Sequence, residues 1–214
     1  MVEKPLVWVG SSVEDLRDFP AEARRLAGYQ LRRVQSGLMP SDWKPMKTIG
    51  PGVNEIRIHT GIECRVFYLA RFPEAIYVLH AFEKRTRQTP RGDIDLARRR
   101  FAELRMLRAK RKERQMAVKV RPASENLYRD LGFSSEEAEN LRARSDLMIR
   151  LTKIIEDRCL TQAAAAKLLG VTQPRISDLM RGKIDRFSID SLVEMLGHAG
   201  VRVRFVLKPA RKVA

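Results

Sequence analysis

Polar and apolar positions alternate along three successive stretches of the first half, the period-2 signature of half-buried strands. They are Val53-Asn-Glu-Ile-Arg-Ile-His59, Ile62-Glu-Cys-Arg-Val-Phe-Tyr-Leu69 after a turn at Thr60-Gly61, and residues 75–84 after Phe72-Pro73. Together they predict an antiparallel meander. Ahead of it, residues 5–9 read as a short apolar strand. Ser11-Ser12 then caps a mixed helix over about 13–36 that breaks near Gly28. Pro40, Pro45, Gly50, Pro51 and Gly52 make the next stretch a run of turns with no room for a long element. Over 91–115 the period becomes helical, with Ile94, Ala97, Phe101 and Leu104 on one face and Arg98, Arg99, Arg100, Arg105 and Arg108 elsewhere. The end of this helix, RAKRKERQ, is almost wholly charged and reads as a linker.

The second half is patterned differently. Residues 117–120 suggest a short strand, and NLYRDLGF leads into the polar helix start Ser134-Ser135-Glu136-Glu137. Ala138, Leu141, Met148, Leu151 and Ile155 then recur at helical spacing, predicting a long helix that ends near Cys159. From Thr161 the sequence TQAAAAKLLGVTQPRISDLMRGK carries two short helices. Phe187 and Leu192 form a hydrophobic staple around Ser188 as cap of a further helix, which runs to about Ala199 and is stopped by Gly200. Residues 201–207 alternate as a closing strand, which either pairs with a symmetry mate or packs on its own domain. The expected class is α+β, with a domain of helices on a small antiparallel sheet over 1–115 and a mainly α domain with a C-terminal strand over 116–214.

Charge narrows the class of partner. The chain carries 42 Lys plus Arg against 26 Asp plus Glu, net +16. Both halves are basic, with 24 against 14 before Met116 and 18 against 12 after it. Such a surplus points to an anionic partner. The two cysteines, Cys64 and Cys159, lie in different halves without metal-ligand spacing, so neither a disulfide framework nor a zinc site is expected, and no cofactor is called for. The opening apolar run is too short for a secretory signal, and no 18 apolar residues run together. A cytoplasmic protein without a membrane partner is the expectation.

The segment from Thr161 has the mechanics of a helix-turn-helix. Thr161 caps the first helix. Ala166 is small where the helices cross, Gly170 supplies the left-handed turn, and Val171 plugs the corner. Thr172 caps the second helix, Pro174 suits its first turn, and Ile176 and Leu179 face inward. Gln173, Arg175, Ser177 and Asp178 are left outside, near the end that such motifs push into the major groove, where Gln and Arg suit adenine and guanine edges. Gln162, Arg181 and Lys183 fall where a phosphate backbone runs. The alternative is a helical hairpin that merely packs. The stretches NLYRDLGFSSEEAENLRARSDLM and LTQAAAAKLLGVTQPRISDLMRGKIDRFSIDSL, with the closing strand, resemble Xre-type antitoxins of the HigA class. That resemblance implies a repressor of its own operator, expected as a homodimer, that also binds a cognate toxin.

In the first half there is no Ser-His-Asp arrangement, glycine-rich phosphate loop or paired catalytic carboxylate, but there are cations on strands. Arg57, Arg65 and Lys84 sit on or beside the meander, with Tyr68 and His80 as further catalytic candidates and Arg85 and Arg87 as RNA-binding ones. Alternation places Ile56 and Ile58 opposite Arg57, so that this arginine is displayed. Fixed cations suit RNA cleavage by the strand's own 2′-hydroxyl, because the pentacovalent phosphate gains negative charge that they stabilise. His80 titrates in the right range for a proton acceptor, yet a histidine inside an apolar strand is more often structural. VNEIRIHTGIECRVFYLA, AIYVLHAFEKRTRQTP and the final basic helix resemble the phage-derived HigB branch of RelE-like toxins. The resemblance implies a ribosome-dependent endoribonuclease acting on messenger RNA, with Arg57, Arg65 and Lys84 at the family's basic strand positions.

Both partners of such a pair therefore lie on one chain, toxin first. Residues 110–121 reach roughly 20 Å as flexible coil, which allows the halves to meet within one chain or between chains. The second half is expected to occlude Arg57, Arg65 and Lys84, leaving an operator-binding repressor. The rival reading is a transcription regulator whose first domain is an inactive binding module.

Overall fold

The computed structural model describes residues 3–86, 88–110, 120–204 and 206. The chain opens with β1 (Leu6–Val9), α1 (Ser12–Arg17) and α2 (Ala21–Gln35). The strands β2 (Trp43–Pro45), β3 (Val53–His59), β4 (Glu63–Leu69) and β5 (Ile76–Glu83) come next, followed by α3 (Arg91–Lys110). A short β6 (Val120–Pro122) and a single turn, α4 (Leu127–Asp130), lead to α5 (Ser135–Asp157), α6 (Gln162–Leu169), α7 (Gln173–Met180) and α8 (Ile189–His198).

The meander read from alternation is the centre of a six-stranded sheet of order β2-β3-β4-β5-β1-β6. β1 runs parallel to β5, and β6 joins β1 antiparallel on the far side. The second half therefore completes the sheet of the first. One face presents Ile56, Ile58, Val66, Tyr68 and Val78 to α1 and α2, in an apolar cluster that continues through Tyr128, Leu141, Met148 and Leu151. On the other face Val53, Phe67, Leu69, Tyr77 and Leu79 pack against Ala97, Phe101 and Leu104 of α3. Each fully buried large side chain there contributes roughly 1.5–3 kcal/mol of burial free energy.

Two expectations are corrected. The break in the first helical stretch falls at Phe19-Pro20, because proline lacks an amide hydrogen and its predecessor avoids the helical region. Gly28 is an ordinary helical residue within α2. What its bareness serves is a contact, since a Cβ there would lie 2.5 Å from Cε1 of Tyr128. Of the closing strand expected over 201–207, the described residues 201–204 and 206 join no ladder, and positions 205 and 207 lie outside the described residues. Val201 and Val203 pack against the main core while Arg202 and Arg204 are exposed, so the alternation there records side-chain packing without a pairing partner. Of the short strand expected at 117–120, only Val120 lies among the described residues, and it begins β6.

Candidate functional site

Strand register decides which cations meet. Arg57 stands directly opposite Arg65, and Arg65 opposite Phe82, so all three share the face covered elsewhere by α3. Arg57 is about one-third exposed, and Arg65 is buried. Each is held by carboxylates of its own half. Arg57 Nε lies 3.4 Å from Glu55 Oε2, and its Nη1 is 3.8 Å from Asp42. Arg65 donates to Glu63 Oε2 at 2.8 Å, and its Nε is 3.7 Å from Glu55 Oε1. Lys44 reaches the same Glu55 at 3.5 Å. Glu55 is only 1% exposed, so one buried carboxylate organises three cations. Lys84 follows β5, its amide donating to the carbonyl of Glu63 at 2.7 Å.

The expected occlusion of Arg57 and Arg65 by the second half is thus corrected, because their ion-pair partners are Asp42, Glu55 and Glu63. At the strand ends His59 joins Glu63 (2.7 Å) and Asp42 (2.8 Å). The hydrogen bond that its ring donates to Glu63 raises its pKa; burial opposes the shift, and the bond donated to Asp42 adds to it. Tyr68 does not join this group. It lies on the opposite face, 1% exposed, where burial pushes its hydroxyl up to about 12.

His80 reaches the Arg65 face through a bulge. Phe67 pairs with His80 and Tyr68 with Val78, which leaves Leu79 as the extra residue and turns His80 to the side of Phe82. The two rings stack at 5.4 Å. His80 Nδ1 lies 2.7 Å from Asp15 Oδ2 on α1, and Nε2 lies 2.9 Å from Asp93 Oδ1 on α3. Both ring nitrogens are therefore engaged. Buried Arg100 completes the cluster, donating through Nη1 to Asp15 (2.8 Å) and to the Leu79 carbonyl (2.8 Å), and through Nη2 to Ser11. Burial alone would raise the Asp15 carboxyl, but hydrogen bonds from His80, Arg100 and Ser11 hold it below its ordinary value. An open cleft of about 320 Å³ borders this cluster, lined by Asp15, Asp18, Phe19, His80, Phe82 and Arg85. Arg85 is exposed and pairs with Glu83 at 3.3 Å, and Arg87 lies outside the described residues.

Sequence reasoning missed Asp15, Glu55, Asp93 and the role of Arg100. One signal was present: Arg100 falls three residues after Ala97 and four before Leu104, inside the apolar stripe of α3.

The helix-turn-helix geometry follows the local sequence. Thr161 Oγ1 accepts from the Ala164 amide (3.2 Å), and Gly170 is left-handed at φ +68. Thr172 sits at the start of α7 without a side-chain cap bond, and Ile176 and Leu179 are fully buried. Gln162, Thr172, Gln173 and Pro174 are exposed along one side. Arg175 bends back, its guanidinium 4.2 Å from the Phe187 ring centre, beside a shallow cavity of about 700 Å³ that Arg144 and Arg186 also line. Ser177 is half-buried. Lys183 pairs with Asp178 at 2.7 Å, and that bond holds the Asp178 carboxyl below its usual range. The exposed Arg181 offers its carbonyl to Ser41 Oγ of the first half at 3.3 Å. The free end of α7 is thus the one bearing Gln173, while its other end rests on the first half.

Among the described residues no helix is long and apolar enough to cross a membrane. Residues 14–102 match a family described as phage derived protein Gp49-like, and residues 127–208 match a helix-turn-helix domain. A solved chain described as an XRE family transcriptional regulator is 31% identical, covering 36% of this chain and 88% of its own length, with a TM-score of 0.34. No curated protein matches.

Proposed function

We propose that this chain, which joins a Gp49-like domain of the toxin type to a helix-turn-helix domain, is a self-contained type II toxin–antitoxin protein. In this reading the first half, residues 1–115, is a ribosome-dependent messenger endoribonuclease. The second half, 116–214, holds it in check and represses the operon by binding operator DNA, as a homodimer on a palindromic site. The observation that carries the reading is the pairing of Arg57 and Arg65 across the meander, with Phe82 on the same face. Two guanidiniums there suit a phosphate that gains charge in the transition state, and the aromatic ring suits a stacked base. Both ring nitrogens of His80 are occupied, so we give it a positioning role. No metal or cofactor enters this chemistry.

The test is expression of residues 1–115 alone, with growth and messenger integrity followed. Arrest with messenger cleavage, relieved by Arg57→Ala, supports catalysis. Equal arrest by the altered and unaltered forms, or no arrest, favours the second reading. That reading is a transcription regulator with a non-catalytic first domain, and the burial of Arg65 among Glu55 and Glu63 speaks for it. The DNA half is tested separately by operator binding of the full chain. Gln173→Ala should weaken sequence-specific binding, with affinity falling steeply as salt rises.

A further inference from the structure

The two halves are joined most tightly over a short stretch that neither functional reading uses. β6 adds to the free side of β1, with Val7 opposite Pro122 and Trp8 opposite Arg121, and the Ala123 amide extends the ladder to the Leu6 carbonyl at 2.8 Å. A few residues on, Asp130 is 4% exposed and accepts from Trp8 Nε1 at 3.0 Å. The carbonyl of Asp130 accepts from Arg17, and that of Leu131 from Arg24 (2.9 Å). Tyr128, fully buried, lies over bare Gly28 of α2. The segment also carries its own turn, since Asp130 Oδ2 accepts from the Ser124 amide (2.8 Å) and Asn126 Oδ1 from the Tyr128 amide (3.1 Å).

From this geometry we infer that residues 120–133 are a docking peptide and that the first half carries a dedicated binding site for it between β1, α1 and α2. The ligand it takes is a peptide of defined chemistry: a short edge strand, then a turn that delivers one tyrosine ring to a glycine notch and one carboxylate to an indole N–H. Main-chain pairing supplies affinity, while the notch and the indole supply selectivity. The other charged links between the halves are of a different kind. Arg32 with Asp146 and Arg33 with Glu156 set buried guanidiniums against exposed acids. Arg25 with Glu137 and Asp185 is partly exposed on both sides and contributes little. The site recognises the peptide whether or not a covalent link precedes it.

The experiment uses the full chain with a protease site placed within residues 111–119 and cut after folding. A synthetic peptide of residues 119–134 is then added in large molar excess. The expected result is release of the second half by the peptide, and no release by the same peptide with Asp130→Asn and Tyr128→Ala. In the cut chain Trp8→Phe, which removes the indole N–H together with its five-membered ring, weakens association at least about tenfold, because the buried Asp130 loses a partner and the smaller ring leaves a void. Arg25→Ala changes it less than about fivefold. The inference is overturned if the altered peptide competes as well as the native one, if neither competes, or if the effect of Arg25→Ala exceeds that of Trp8→Phe.

Discussion

Two sets of arginines in the first half look alike in sequence and do opposite things. Those of α2 turn outward to the second half: Arg32 reaches Asp146, Arg33 reaches Glu156, and Arg25 reaches Glu137 and Asp185. Those of the meander are satisfied at home by Asp42, Glu55 and Glu63. The sheet lies between the two sets. A basic surplus therefore divides into an assembly surface on one side and a phosphate-ready surface on the other. If the second half silences the first, it does so from the α2 side, by holding β1 and α2, and leaves Arg57 one-third exposed.

The largest expected effect comes from a residue belonging to neither set. Arg100→Ala removes a guanidinium that is 9% exposed and leaves the half-buried Asp15 with its His80 and Ser11 bonds alone, and the Leu79 carbonyl without its donor. Breaking a buried pair in this way costs about 3–5 kcal/mol. Urea unfolding of the full chain should show that loss. A change below about 1 kcal/mol would mean that the cluster is solvated enough to do without Arg100.

Next in size is the notch. Gly28→Val drives a Cβ into the Tyr128 ring, and overpacking of that kind costs about 1–3 kcal/mol. The change strikes the assembly surface only, so the melting temperature should fall while the messenger-cleaving capacity of residues 1–115, if present, is untouched. Loss of both would mean that the two surfaces are not independent.

A smaller effect on stability separates the two sets directly. Arg57→Ala should cost less than about 1 kcal/mol, since the arginine is one-third exposed, its pair with Asp42 is screened by solvent, and buried Glu55 keeps Lys44 and Arg65. Its effect on cleavage by the first half should be about a hundredfold, the usual consequence of deleting a charge that faces the transition state. Arg32→Ala should reverse the order. Its guanidinium is 3% exposed and joins Glu3 to Asp146, so folding should suffer by about 1–2 kcal/mol while cleavage does not change.

Periodicity made the meander, α3, α5 and the helix-turn-helix legible, because burial on one face imposes period 2 or 3.6 whatever the partner is. It also located Arg57 and Gln173 correctly as displayed residues. Other features depend on what stands opposite, and a single sequence does not carry that information. Leu79 is one apolar residue in an apolar run, yet as the bulge it reverses the side on which His80 stands. Gly28 looks like a helix breaker until Tyr128 is placed against it. Glu55 looks like a solvated strand residue, and its burial follows from the register that sets it beside Arg57 and Arg65. The short strand expected at 117–120 meets β6 at Val120, but its partner, β1, lies more than a hundred residues earlier and could not be named from the sequence.

The smallest effect is on pH dependence at the rim of the meander. The hydrogen bond to Glu63, with that to Asp42, raises the His59 pKa. A raised folded-state value means that the stabilisation is fully present below the unfolded value, near pH 6.5, and is lost as pH rises through the folded one. The side chain is half exposed, so screening keeps the contribution below about 1 kcal/mol. His59→Gln should therefore remove a shallow decline in stability on the alkaline side of pH 6.5 and, on the acid side, only the small part that the His59 bond contributes by depressing the Glu63 carboxyl, leaving the Asp15 part as it was. Since Asp42 also pairs with Arg57, the same change should leave that arginine with a stronger hold on Asp42 and so less free to meet a phosphate. A cleavage rate for residues 1–115 that rises on His59→Gln would show that His59 competes with the phosphate instead of keeping Arg57 available for it.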